Sequence, residues 1–76
     1  MSRLVERMKQ HVILNEDGKA QLGRAAGKSL RQVERYLSGQ AIPPANARYK
    51  LARQCGCTHE EALALAQEPP EAKKAG

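Results

Sequence analysis

The sequence predicts an all-α fold, a compact domain of five short helices without a strand. Its apolar residues recur every three or four positions, which is the period of a helix face, and no stretch alternates as a strand does. Glycine and proline divide the chain into short segments, several of which follow a residue typical of helix N-caps. The 76 residues include no Phe, no Trp and two Tyr, so the core must consist of aliphatic and small side chains. A chain of this length forms one domain with a thin stability margin.

The first helix is predicted to follow Ser2, whose hydroxyl can cap its N-terminus. Four apolar residues fall on one face of this helix: Leu4, Val5, Met8 and Val12. Residues 15–18, with the sequence Asn-Glu-Asp-Gly, are expected to end it.

The second and third helices are predicted to be joined by a tight turn. The second covers residues 19–26, and within it Gly23 leaves room for the close approach of another helix. Gly27 is expected to end this helix in a left-handed backbone conformation. Two residues later, Ser29 can cap a third helix over residues 30–37. Because the connection is so short, the two helices must cross steeply.

Two further helices are predicted in the second half of the chain. A proline-bounded loop at residues 41–44 leads to a fourth helix over residues 45–55. Thr58 and Glu61 have the spacing of a capping box, in which each side chain accepts a backbone N–H of the other residue. This signature predicts the start of a fifth helix.

The chain ends in a segment that we predict to be a disordered tail. Residues 69–76 contain two prolines, three charged residues and no large apolar side chain. Pro69 is expected to mark the end of the fifth helix. The folded domain is therefore expected to cover residues 1–68.

Charge and composition narrow the function classes. Thirteen Lys and Arg against eight Asp and Glu give a formal net charge of +5, which favours a polyanionic partner. The longest aliphatic run, residues 12–14, is far shorter than the roughly 18 residues of a membrane span, so no membrane association is expected. Two cysteines and no secretory signal pattern indicate a cytoplasmic, nucleoid-associated location. No catalytic constellation stands out, so we expect no enzyme activity and no cofactor.

Basic residues concentrate in the second and third helices. Residues 19–40 contain a single acid, Glu34, and five basic residues, a local net charge of +4: Lys19, Arg24, Lys28, Arg31 and Arg35. Two short helices joined through a glycine turn form the helix-turn-helix arrangement, which presents its second helix to the major groove of DNA.

Residues 19–39 resemble the lambda-repressor-like (Cro/XRE-type) helix-turn-helix, and no gap is needed to match it. Seven positions carry the residue types of that family's pattern: Leu22, Gly23, Gly27, Ser29, Val33, Tyr36 and Gly39. The similarity continues through Pro43-Pro44 and residues 51–58, so that it covers residues 3–66. The resemblance implies the compact five-helix fold of that family and a double-stranded DNA partner.

The resemblance also implies roles for individual residues. Lys19 would contact a phosphate at the start of the second helix, while Lys28 and Gln32 would lie beside the DNA backbone. At the position of Leu30, just before Arg31, the family usually has a polar residue. The leucine can contact a thymine methyl or pack in the core, and the sequence leaves both interpretations open. The arginines would face base edges, because their planar fork matches O6 and N7 of guanine. The full predicted DNA-binding set is Lys19, Lys28, Ser29, Leu30, Arg31, Gln32, Arg35 and Gln40.

Several of these features have a second interpretation. The basic cluster can be an ordinary solvated helix face. Tyr36 can be a stacking platform for bases, but its spacing from Val33 favours packing in the core. Cys55, Cys57 and His59 suggest zinc, yet they are too few and too closely spaced for a structural site. We therefore expect no bound metal and two cysteines that act as small buried hydrophobes.

Together these observations predict a sequence-specific transcriptional regulator. It would be a repressor that binds a short palindromic operator as a homodimer through the major groove. The interface of the dimer is expected on the last helix and in residues 40–47. The short chain has no room for a ligand-sensing domain, so no small-molecule ligand is expected. The alternative is a small protein-interaction module, an antitoxin or adaptor, on the same helical scaffold.

Overall fold

The computed structural model describes residues 3–67, and in this part the chain is all-helical. Five α-helices follow in order: α1 (Arg3–Leu14), α2 (Gly18–Ala26), α3 (Leu30–Ser38), α4 (Ala45–Gln54) and α5 (His59–Gln67). None of the described residues forms a strand, so the predicted all-α fold class is confirmed. None of the described helices is long and apolar enough to cross a membrane. The predicted N-cap at Ser2 and the predicted tail at residues 69–76 lie outside the described residues.

The predicted helix boundaries shift by one residue at three ends. The sequence places Gly18 in the loop before the second helix, but α2 begins at this residue. A Cβ at Gly18 would lie 2.8 Å from the Cα atom of Val12, so the start of α2 contacts the backbone of α1 and only glycine fits. α3 extends to Ser38, and α4 ends at Gln54, one residue before the predicted end.

The core lies between α1, α2, α3 and α4, and α5 closes it by packing against α4. Its largest fully buried side chains come from four helices: Leu4, Met8, Leu22, Val33, Tyr36 and Leu51. Small residues, including Ala52 and Ala62, fill the remaining space. Burial of one large apolar side chain stabilises a folded protein by about 1.5–3 kcal/mol. These positions therefore dominate the stability of a chain with few large apolar residues.

The tyrosines and cysteines are buried to different degrees. Tyr36 is only 2% exposed, so its predicted place in the core is confirmed. Tyr49 is half-buried, and its hydroxyl lies 2.8 Å from Nδ1 of His59, with the two rings edge to face. Cys57 is buried and Cys55 is half-buried against the core, as expected for small hydrophobes.

The turn between α2 and α3 depends on two glycines. Gly27 has a φ of 70°, which confirms the predicted left-handed conformation, and the N–H of Lys28 donates to the carbonyl of Gly23 at 2.8 Å. A Cβ at Gly23 would lie 2.7 Å from the carbonyl oxygen of Lys28 and 3.6 Å from Cγ2 of Val33, so both the turn and α3 approach this glycine closely, and the predicted close approach of another helix is confirmed. Ser29 then caps α3 as predicted, because its Oγ accepts the N–H of Gln32.

Side chains fix both ends of α5. Thr58 Oγ1 accepts the N–H of Glu61 at 3.1 Å, and the Glu61 carboxylate accepts the N–H of Thr58 at 3.2 Å, which confirms the predicted capping box. At the other end, the Arg48 guanidinium of α4 donates hydrogen bonds of 2.6 and 3.1 Å to the carbonyl of Ala66. Because the last carbonyls of a helix lack helical partners, Arg48 fastens α5 to α4.

Replacement of Gly27 by Val is expected to lower the melting temperature of the domain, measured by far-ultraviolet circular dichroism. A left-handed backbone costs an L-residue about 1–2 kcal/mol, and β-branching adds to that cost. Nothing lies within 4 Å of a Cβ at this position, so the penalty is conformational and not a clash. Gly27→Asn is the matched control and should lose distinctly less, because Asn tolerates this conformation. An unchanged melting temperature in the Val variant would contradict the turn geometry.

Candidate nucleic-acid interface

One face of α3 projects polar side chains into solvent. Four exposed residues have the i, i+3, i+4, i+7 spacing of a helix face, and we call them the α3 stripe: Arg31, Glu34, Arg35 and Ser38. The opposite face carries Val33 and Tyr36, which are buried in the core. Since core packing holds that face, the stripe must point away from the domain.

The N-terminal end of α3 brings together further members of the predicted set. Ser29 is exposed, and its Oγ accepts the N–H of Gln32 at 3.2 Å, so its hydroxyl acts as a helix cap. Lys28 and Gln32 are half-buried. Leu30 is 51% exposed, so its side chain does not pack in the core, and contact with DNA stays a prediction for it.

Lys19 reaches α3 from the first turn of α2. Its Nζ lies 3.3 Å from Oε2 of Glu34, and the two side chains are 41% and 52% exposed. The residue expected to contact a phosphate is thus paired with an acid of the α3 stripe. A surface ion pair of this kind contributes about 1 kcal/mol or less, so another anion can compete for Lys19.

The other basic side chains of this region are not ion-paired within residues 3–67, although Arg31 and Arg35 share the α3 stripe with Glu34. Four of them form no ion pair with any residue that the structure describes: Arg24, Lys28, Arg31 and Arg35. Uncompensated cations on one surface add up to a positive potential that attracts polyanions. The region around α3 is therefore electrostatically suited to a chain of phosphates.

Gln40 lies beyond the C-terminal end of α3, next to Arg35 and far from the predicted residues at the N-terminal end. It is exposed, and its backbone N–H donates to the carbonyl of Arg35 at 2.9 Å in the turn that follows Gly39. A helix of nine residues is about 13 Å long, so Gln40 and Ser29 lie at opposite ends of the stripe. The predicted residues therefore form an elongated ridge and not a pocket.

Glu34 belongs to this surface although the sequence-based set omits it. The sequence contains a signal for this position, because Glu34 lies three residues after Arg31 and one before Arg35. From the sequence alone, Glu34 is treated only as the single negative charge of the basic segment at residues 19–40. Its pairing with Lys19 depends on the crossing of α2 and α3, which spans 15 positions of sequence.

Within residues 3–67, no three His, Cys, Asp or Glu side chains are grouped as a metal ion would require. The cysteine pair instead faces an arginine, because Arg7 Nη2 donates to Cys57 Sγ at 3.2 Å and to Glu61 at 3.4 Å. Burial raises the pKa of Cys55 to about 11, and Cys57 adds to the shift. Cys55 is therefore a protonated, unreactive thiol at neutral pH.

A shallow cleft lies between α1 and α5. Its walls are formed by Arg3, Glu6, Arg7, Glu61 and Leu65. Charges of both signs surround a single Leu in this cleft, which lacks the predominantly apolar lining of a small-molecule site. The α3 surface is thus the stronger candidate for a functional site.

Comparison of the chain with protein-family models, curated proteins and solved structures finds no match. The features that point to a function are the α3 stripe and the basic residues around it.

The raised pKa of Cys55 predicts slow alkylation of the folded protein. A thiol with an ordinary pKa of about 8.5 is mostly thiolate at pH 9, whereas Cys55, with a pKa of about 11, stays protonated there. Its alkylation rate with iodoacetamide should rise about tenfold per pH unit towards pH 11, because the thiolate is the nucleophile. Tandem mass spectrometry distinguishes Cys55 from Cys57.

Protein unfolded in urea is the control for this measurement, and its Cys55 should reach a constant rate near pH 9. The same plateau in folded protein would contradict the raised pKa of Cys55. The pH dependence of the stability also follows. Because the pKa of Cys55 is higher in the folded protein than in the unfolded chain, the protonated thiol favours the folded state. That contribution is present below the ordinary thiol pKa and is lost as the pH rises through about 11.

Proposed function

We propose that this protein binds specific sequences of double-stranded DNA by inserting α3 into the major groove, and that it acts as a transcriptional repressor. The observation that carries the proposal is the α3 stripe. On it, Arg31 and Arg35 are exposed and have no ion-pair partner among residues 3–67. The tight turn at Gly27 adds support, since a helix-turn-helix presents its second helix to DNA. The resemblance of residues 19–39 to the lambda-repressor-like helix-turn-helix agrees with this function.

The chemistry of the stripe suits the edges of base pairs. A guanidinium group can donate two hydrogen bonds to O6 and N7 of guanine, which is the commonest specific contact between protein and DNA. Arg31 and Arg35 are separated by about 6 Å along the helix axis, so each can reach a different base pair. Leu30, which is exposed beside them, can contact the methyl group of thymine.

Residues around the stripe would supply affinity that does not depend on sequence. Lys28 lies in the turn, Arg24 lies in the last turn of α2, and Lys19 lies in its first turn. Each phosphate that such a cation neutralises releases bound counterions and strengthens binding at low salt. Three polar residues at the margins of α3 complete the proposed contact surface: Ser29, Gln32 and Gln40.

We also propose that the protein binds DNA as a homodimer. One helix of nine residues reads few base pairs, and two copies on half-sites about one helical turn apart would extend the recognised sequence to a palindrome. The expected interface, α5 and residues 40–47, includes two exposed apolar side chains. Ile42 is 50% exposed and Leu63 is 40% exposed.

A module that binds another protein is the second candidate. Ile13 and Leu14, at the end of α1, are each 80% exposed. Adjoining exposed aliphatic side chains can contribute to an apolar patch that binds another protein. An antitoxin or adaptor of this kind would use the same scaffold. The interaction of the purified chain with DNA distinguishes the two functions.

DNA affinity is expected to fall steeply with added salt. A mobility-shift titration with duplex DNA at about 50 and 200 mM salt should give a large loss, since the dependence on salt scales with the number of phosphates contacted. Equal affinity at both concentrations, or no shift at either, would favour the protein-binding module.

Arg31→Ala and Arg35→Ala should differ in kind from Lys19→Ala. Loss of an arginine contact to guanine should cost about 1–3 kcal/mol on the preferred site and relax selectivity at one base pair of each half-site. Loss of Lys19 should weaken binding to all sequences alike, because a phosphate contact carries no sequence information. Binding-site selection from randomised duplexes identifies the preferred site, on which the variants are then titrated at fixed salt.

The control for these variants is Lys9→Ala, which removes an exposed cation from α1. It should change affinity far less than any of the three and leave selectivity intact. Circular dichroism must show that every variant is folded. If all three interface variants lose affinity in equal proportion on preferred and random DNA, the arginines act only through their charge and do not read bases.

A further inference from the structure

Glu34 is the one acid on the α3 stripe, the surface that the proposed function places against DNA. In the sequence, Glu34 lies between Arg31 and Arg35, which are both exposed. Its own side chain is 52% exposed. A carboxylate near DNA phosphates is repelled, so an unpartnered acid at this position would weaken every complex. The contact with Lys19 Nζ at 3.3 Å offsets part of that repulsion and restrains the carboxylate.

The hydrogen-bonding chemistry of a carboxylate restricts what it can contact in the groove. An ionised carboxylate only accepts hydrogen bonds. Guanine presents two acceptors in the major groove, and adenine presents an acceptor beside its amino group, so both repel part of the carboxylate. Cytosine presents its N4 amino group as a donor without a second acceptor on the same base. Cytosine is therefore the base that Glu34 suits best.

We propose that Glu34 is a specificity-determining residue that selects cytosine through its N4 amino group. The inference rests on the proposed DNA-binding function and adds a base preference to it. Arg31, one helical turn before Glu34 on the same stripe, would contact a guanine of the same or a neighbouring base pair. In the free protein Lys19 holds the carboxylate of Glu34 on the stripe, and in the proposed complex its Nζ is released to a phosphate.

Binding-site selection from a randomised duplex library tests the proposal with wild-type protein and Glu34→Gln. The wild-type site should contain a cytosine whose preference falls at least about fivefold in the variant, the lower limit of discrimination by a direct base contact. The variant should also bind random DNA more tightly, because one repelled charge is gone.

Two further variants separate base reading from charge. Glu34→Asp keeps the anion but shortens it by one methylene, so it should lose the cytosine preference without binding random DNA more tightly. Glu6→Gln removes an exposed acid from α1, outside both the α3 surface and the expected dimer interface, and should leave every base preference unchanged.

The outcomes for this inference and for the proposed function are distinct. If the wild-type protein binds DNA with a selected sequence and Glu34→Gln keeps the same preference at every position, Glu34 only tethers Lys19 and the inference is wrong. If the wild-type protein binds no DNA, both this inference and the proposed function are wrong. A shift of preference in Glu6→Gln equal to that in Glu34→Gln would likewise overturn a direct contact.

Discussion

The close contact between the backbone of α2 and the turn that follows it constrains the rest of the molecule. Gly23 has no room for a Cβ beside the carbonyl of Lys28, and Gly27 has the positive φ that L side chains rarely adopt. With both glycines in place, the chain reverses within three residues and α3 starts at once against α2. The side chain of Val33 then lies 3.6 Å from the position of a Cβ at Gly23. The orientation of α3 follows from these contacts.

Stability and the candidate function share α3. Tyr36 and Val33 bury one face of the helix in the core, and the α3 stripe is displayed on the other. The core has few other large side chains, so loss of either residue would be felt throughout the domain. A rigid helix anchored in this way can present side chains to a partner without ordering a loop, which reduces the entropic cost of binding.

The basic residues around α3 fall into two groups, those without an ion-pair partner and Lys19, which has one. Arg31 and Arg35 have no acidic partner in the described part of the chain, so a polyanion can approach them without first breaking an ion pair. Lys19 is paired with Glu34, but both groups are accessible to water and the pair is weak. In the proposed complex, this pair can exchange for contacts with a phosphate and a base at little cost.

Local signals in the sequence determined the helices, the glycine turn and the caps, because these depend on residues within a few positions of one another. The capping box at Thr58 and the left-handed Gly27 are examples. The exposed arginines of α3 also followed from the sequence, since helical spacing separates them from Val33. The contact of Gly18 with α1 and the pairing of Lys19 with Glu34 were decided only by the tertiary structure. Both join residues on different helices, and helical periodicity carries no information on how two helices cross.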